Sequence, residues 1–244
     1  MDERLVTLKE HLIELRKRVV ISATFLLFTT IISIIFIQKI SAFLVRIAGG
    51  VEIIYISPTE AFMTELRIAI FSGVFLALPV ILSQVWAFIC PGLKKNERRK
   101  FLFVLFFSLL LFLYGTFFAY SIALPFTMRF LSNFSPSIAP LFSYQAYISF
   151  ITSLILIFGV VFQLPLIIMT LIITGLVTVA TLRRVRKYVI VVMFVVAAII
   201  TPPDVISQVV MVLPLLVLYE VGILVGHLLN PARKRKRDDD SSEL

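Results

Sequence analysis

Trp86 to Lys100 reads WAFICPGLKKNERRK, a short basic loop set between two long apolar runs. Pro91 and Gly92 end the first run, and Phe101 opens the next. Between them stand Lys94, Lys95, Arg98, Arg99 and Lys100, with one carboxylate, Glu97. Short basic loops between membrane-length segments stay on the cytoplasmic side, so this loop orients the chain on both sides of it. Glu97 has two readings. It neutralises helical neighbours such as Lys94 and Arg98, or it receives a cationic ligand. On the loop alone, local neutralisation is the simpler reading.

Working outward, the 244 residues are 60% hydrophobic, with a mean hydropathy of +1.04. Soluble domains rarely have this composition, and here the apolar residues come in runs of membrane length. The net charge of +9 is clustered in tails and loops. A nucleic-acid protein would instead line one soluble face with its cations, so no nucleic-acid partner is expected. The single cysteine, Cys90, excludes an internal disulfide and a Cys-based metal cluster. His11 and His227 are too few and too far apart for a metal site. The nine glycines form neither GxxxxGK[ST] nor GxGxxG. No cofactor is implied, and nothing points to an enzyme.

Residues 1–18 carry nine charged residues and no cleavage pattern, unlike a signal peptide. Leu5, Leu8, Leu12, Leu15 and Val19 recur at spacings of three and four. That stripe predicts an amphipathic helix on the membrane surface, leading into the first span. Glu14 and Arg18 stand four apart, as a local ion pair would.

Spans are predicted over 19–37, 68–90, 101–124, 147–173, 188–201 and 205–229, in one polytopic membrane domain. Gly49-Gly50 breaks the first connection, Glu52 to Ile56 reads as extended, and Ser57-Pro58-Thr59-Glu60 reads as a helix start capped by Ser57 or Thr59. Trp86 suits the membrane interface. Asn133 to Pro140 and 174–187 read as loops. The run from Tyr188 to Ile200 has only 13 residues, about 20 Å of helix. It fits either a short span or one arm of a re-entrant hairpin.

Of the 23 Lys and Arg, five lie in 1–18, five in 91–100, four in 174–187 and five in 231–244; the remaining segments hold four. Six spans with both termini cytoplasmic satisfy the positive-inside rule. A re-entrant hairpin leaves the tail on the same side, so charge alone fits both. The tail 231–244, with RKRKRDDD at 233–240, reads as a solvated topology anchor or, more weakly, a lipid-headgroup contact.

Polar groups inside apolar runs need partners. Gln84, Gln163, Gln208 and Glu220 are such groups. Asp204 stands at the turn after the fifth run, as a helix N-cap or a functional acid. Gly222 and Gly226 form a GxxxG that permits close helix packing. Pro79, Pro165 and Pro214 interrupt spans, so curved helices around a concave, partly polar face are expected. Composition leaves two functions open. One is a small-solute secondary transporter, although no matched internal repeat is visible. The other is a receptor or translocon component for peptides or membrane helices.

HLIELRKR (11–18), SPTEAF (57–62), LPVILSQVWAFICPGL with KKNERR (78–99), FGVVFQLP (158–165) and TPPDVISQ (201–208) occur in that order. Together they resemble the TatC family, the signal-recognition subunits of the twin-arginine translocase. The resemblance implies an all-α integral membrane protein of six transmembrane helices, the last two short, in a cupped arrangement behind the amphipathic N-terminal helix. It implies binding of folded cargo through signal peptides bearing two consecutive arginines. It also implies assembly with TatA- and TatB-type single-span partners and with further copies of itself. Transport would be driven by the proton-motive force, in the plasma membrane. By the same resemblance Glu14, Arg16, Phe88, Glu97 and Arg98 form the signal-binding region. Gln163, Asp204 and Gln208 are implied as intramembrane polar or partner-contact positions. The family's usual Glu is replaced by Gln163, which keeps hydrogen bonding and removes titration. Arginine's planar fork suits a carboxylate, so Glu14 and Glu97 are the expected acceptors of the two guanidiniums.

Overall fold

The computed structural model describes residues 2–46, 52–89, 98–133, 141–200 and 205–228. Its described residues are helical apart from two short strands and the connections. α1 (Asp2–Ile35) is one unbroken helix. No glycine or proline falls within it, so the expected surface helix and first span run together. Its stripe residues Leu12 and Val19 stay uncovered by the chain itself. α2 (Ile37–Arg46) turns Ile40 and Leu44 inward and Lys39 and Arg46 outward. The clearest amphipathic helix is therefore this short one after the first span.

β1 (Glu52–Ile54) pairs in parallel with β2 (Leu141–Ser143), Glu52 facing Leu141 and Ile54 facing Ser143. A parallel pair needs a long crossover, supplied here by the helices between. α3 (Pro58–Ile89) starts ten residues before the predicted span, at Pro58. Ser57 caps it: Glu60 N–H donates to Ser57 Oγ at 3.2 Å. α4 (Arg98–Phe118) continues through one π-helical turn, Ala119–Ala123, into α5 (Leu124–Asn133). Leu124 N–H bonds back to the Ala119 carbonyl, five residues away. Pro125 has no N–H to continue the ordinary ladder, and the helix runs on to Asn133, beyond its expected end. The expected loop over 133–140 lies, but for Asn133, outside the described residues.

α6 (Tyr144–Val161) and α7 (Leu164–Ile173) are separated at Phe162-Gln163. The Gln163 carbonyl accepts from Leu166 N (3.1 Å) and Ile167 N (3.0 Å), restarting the helix with Pro165 in its first turn. α7 ends at Gly175, whose φ of 76° suits a residue without a side chain. α8 (Val179–Ile200) then begins at once, with Thr181 N–H donating to Thr178 Oγ at 3.2 Å. The expected loop over 174–187 is thus corrected: Arg183, Arg184, Arg186 and Lys187 are helical. Arg and Lys are good helix formers, and the glycine stop and threonine cap lie only three residues apart. α9 (Val205–Leu228) closes the described chain and contains Pro214.

Five stretches of the described residues are long and apolar enough to cross a membrane: Leu12–Ile35, Pro58–Phe88, Leu102–Phe130, Tyr144–Ile173 and Met211–Leu228. α8 has a 13-residue apolar run, but its 22 residues reach about 33 Å. Large apolar side chains such as Leu27, Phe28, Phe103 and Leu213 remain exposed, as a bilayer solvent requires and water would penalise.

The chain packs as two units. The first comprises Met1–Leu110 and Ser132–Thr152. In it α1 crosses α3 at Gly73, where a Cβ would lie 2.9 Å from the Thr30 Cα. Thr29 Oγ1 donates across this contact to the Gly73 carbonyl at 2.9 Å. The second unit comprises Leu111–Leu131 and Ser153–Leu244. In it α9 lies on α7 through Gly222 and Gly226; a Cβ on Gly222 would lie 2.9 Å from Pro165 Cα. The GxxxG is a packing face, as expected.

Candidate functional site

The expected signal-binding residues fall in the first unit. Glu14 and Arg16 lie on α1, and Phe88 lies near the end of α3. Arg18, one turn beyond Glu14, donates to Glu14 Oε1 through Nε at 3.1 Å and also through Nη2. The expected local ion pair is present. Both side chains are only partly covered, Arg18 at 21% and Glu14 at 37% exposure. Arg16 is exposed. Glu97 lies outside the described residues, and Arg98 is described only as the first residue of α4.

Arg18 also lines a groove of about 490 Å³ between α1 and α3. Val19, Ser22 and Leu26 form one wall, and Gln84, Val85 and Phe88 the other. The groove is apolar apart from Arg18, Ser22 and Gln84. Packing deeper in the unit sets its geometry. Trp86 is 2% exposed, and its indole N–H donates to Ser108 Oγ at 2.8 Å. A buried indole needs an acceptor, and Ser108 on α4 supplies one, fixing the end of α3 that carries Phe88. The structure thus brings Arg18, Gln84 and Phe88 to one groove, with Glu14 held by Arg18.

A second polar cluster in the first unit was not legible as a site. Glu60, 8% exposed, accepts from Ile56 N (2.8 Å), Gln145 N (3.1 Å) and the Ser143 hydroxyl. Tyr144 OH donates to Glu65 Oε1 at 3.0 Å, and Ser41 Oγ lies 2.8 Å from the same phenol. With the phenol proton committed to Glu65, Ser41 is the donor. Five charged or hydroxyl side chains from α2, α3, β2 and α6 therefore tie the strand pair to the helices. The sequence signal was Ser57-x-x-Glu60, a capping-box spacing. The glutamate reaches Ile56 N–H and two groups from a segment more than 80 residues later.

In the second unit, Gln163 sits at the break between α6 and α7 and is 7% exposed. Its side chain is buried within this unit. Gln208 is also engaged internally: its Nε2 donates to the Phe194 carbonyl at 2.8 Å. Glu220 pairs with Arg186 Nη2 at 2.6 Å, and Tyr219 OH donates to the Leu182 carbonyl at 2.9 Å. These three contacts clasp α8 to α9. Asp204 lies outside the described residues. A cavity of about 510 Å³ touches the π turn at Ile122 and Ala123, the helix break at Phe162, and Pro214. Irregular backbone at the π turn and at Phe162 thus borders this cavity, Pro214 lies on its wall within the unbroken α9, and the lining is almost wholly apolar.

The family model described as Sec-independent protein translocase protein (TatC) matches residues 10–214. The chain belongs to the TatC family. It is a membrane protein of protein transport, a translocase component. The chain is 41% identical to the Sec-independent protein translocase protein TatC of Helicobacter pylori strain J99, over 97% of this chain and 95% of that one. The TatC of Aquifex aeolicus is likewise 41% identical, over 94% and 97%. A crystal structure described as the twin arginine translocase receptor TatC superposes with a TM-score of 0.82 at 40% identity, covering 89% of this chain and 98% of the other. TatC-type motifs map onto the fold at its constrained points. HLIELRKR lies on α1, SPTEAF opens α3, and FGVVFQLP contains the helix break.

Proposed function

We propose that this chain is the core receptor of a twin-arginine translocase. It binds the paired arginines of signal peptides on folded cargo, assembles with TatA- and TatB-type single-span partners and with copies of itself, and uses the proton-motive force. Six spans, with α8 as a short fifth, place both termini in the cytoplasm of a cell whose plasma membrane holds the protein. The observation that carries the reading is at Glu14. This carboxylate already holds a guanidinium, that of Arg18, at the edge of an apolar groove. A ligand arginine can take the same position, and an apolar segment of the ligand can follow into the groove past Phe88. Glu97, in the connection between α3 and α4, serves the second arginine. Arg16 and Arg98 belong to the same region.

A hydrogen bond to a charged group contributes about 1.5–3 kcal/mol, so losing one acceptor weakens binding roughly ten- to a hundredfold. Peptide affinity is measured for wild type, Glu97→Gln and Glu14→Gln, each with twin-arginine and twin-lysine peptides. Both substitutions are expected to impair twin-arginine binding while insertion and stability persist. Unchanged binding in Glu97→Gln would exclude the α3–α4 connection as an arginine site. Binding blind to the change from arginine to lysine would overturn the receptor reading.

A further inference from the structure

The second unit carries a feature that signal recognition does not use. A groove of about 460 Å³ runs along α9, and its lining includes Leu213, Val217, Val221 and Leu224, with Glu220 part-way along. From Leu213 to Leu224 this wall covers about 16 Å, by the helix rise of 1.5 Å per residue. The one cation in the lining is Arg183 of α8. Leu213, Val217 and Leu224 are each more than half exposed.

Charge is unevenly spent around this groove. Arg183, Arg184, Arg186 and Lys187 fall within five residues of α8. Glu220 is held by Arg186 at 2.6 Å, and Lys187 lies 5.1 Å from the centroid of the Tyr188 ring. Among the described residues, no ion pair or hydrogen bond engages Arg183. It is exposed at the mouth of an apolar channel, beside a carboxylate already neutralised. A tyrosine next to a cationic turn marks the headgroup level of a bilayer. Basic sites of this kind between transmembrane helices on the cytoplasmic side take anionic headgroups.

We propose that this groove is a binding site for one anionic phospholipid, with its phosphate on Arg183 and an acyl chain running from there along Val217 and Leu213. The inference rests on the cytoplasmic placement of α8's basic turn given above. Arg183 offers the phosphate a planar fork of donors, and the wall from Glu220 to Leu213 runs about 10 Å by the helix rise, room for part of an acyl chain. Glu220, which lines the groove, is held by Arg186, and this pairing offsets its repulsion of the phosphate.

The test uses the full chain, purified in detergent and exchanged with phosphatidylglycerol or phosphatidylcholine. Bound lipid is counted by native mass spectrometry. Wild type is expected to retain phosphatidylglycerol in preference to phosphatidylcholine. Arg183→Gln is expected to weaken that retention about fivefold, the effect of one surface cation. Arg184→Gln removes the same charge outside the groove and is expected to change it little. Val217→Trp fills the channel and is expected to weaken retention with every charge in place. Equal losses in Arg183→Gln and Arg184→Gln would reduce the site to general surface charge and overturn it. Unchanged lipid retention in Val217→Trp, with loss of a co-purifying single-span partner, would assign the groove to a partner helix instead. The arm is independent of signal recognition: failed peptide binding in wild type would overturn the receptor reading and leave the lipid preference standing.

Discussion

Two regions of the molecule each hold an arginine on a glutamate, and they differ in what the pair is built from. On α1, Arg18 and Glu14 are one turn apart on the same helix. Between α8 and α9, Arg186 and Glu220 are 34 residues apart and meet only because the two helices pack. The first pair forms wherever that helix forms, so separating it leaves the fold intact. The second is one of three polar contacts in a hairpin, beside Tyr219 on Leu182 and Gln208 on Phe194. A carboxylate whose partner is local is available for exchange with a ligand. One whose partner comes from another helix is committed to the architecture.

The sharpest way to break the comparison is to remove the packing that holds the α1 groove. Gly73→Leu would drive a side chain into the Thr30 backbone. Overpacking of this kind costs about 1–3 kcal/mol, here near the upper end because the obstacle is backbone. Thermal unfolding in detergent is expected at a clearly lower temperature, with peptide binding lost alongside. A stable Gly73→Leu protein with normal peptide affinity would show that the α1–α3 groove is not needed for recognition.

Glu220→Gln tests the other side. Both members of its pair are 47% exposed, and pairs so accessible contribute about 1 kcal/mol or less. A small drop in thermal stability and unchanged peptide affinity are expected. A tenfold loss of peptide binding would place Glu220 in recognition and erase the distinction between the two regions.

Arg18→Gln sharpens the comparison with the smallest effect. Exposed pairs four apart on a helix contribute about 0.2–0.5 kcal/mol, so freeing Glu14 is expected to tighten twin-arginine binding by about twofold. The gain is expected to vanish in the Glu14→Gln background. A gain of equal size there, or with twin-lysine peptides, would mean that Arg18 acts only by repelling cations.

The membrane class, the places where helices bend and the motifs on α1 and α3 were all open to reading along the chain. Each depends on neighbours within a turn or on an uninterrupted apolar run. Ser57 as a cap, Pro165 as a site of irregular backbone, and the Glu14–Arg18 pair are of this kind. Where reading failed, two local signals competed or a distant partner decided. The basic segment 183–187 read as a loop because charge outweighed helix propensity, although Gly175 and Thr178 marked the stop and the new start. That Trp86 finds its acceptor on Ser108 was not readable either, because the two stand 22 residues apart and meet only when α3 and α4 pack.

By itself, then, the sequence determined that this protein has the apolar runs of a membrane protein and carries the ordered motifs of its family. Apolar length, charge and short-range spacing act without a fold. Only the tertiary structure decided that Glu60 ties the connection at Ile56 to β2 and α6, that Gln163 is buried and Gln208 bonds within the fold, and that Glu220 belongs to Arg186. The contacts of Glu60, Gln208 and Glu220 join groups 14 to 85 residues apart at about 3 Å, as hydrogen bonding requires. Helix packing, set at Gly73, Gly222 and Gly226, brings them there.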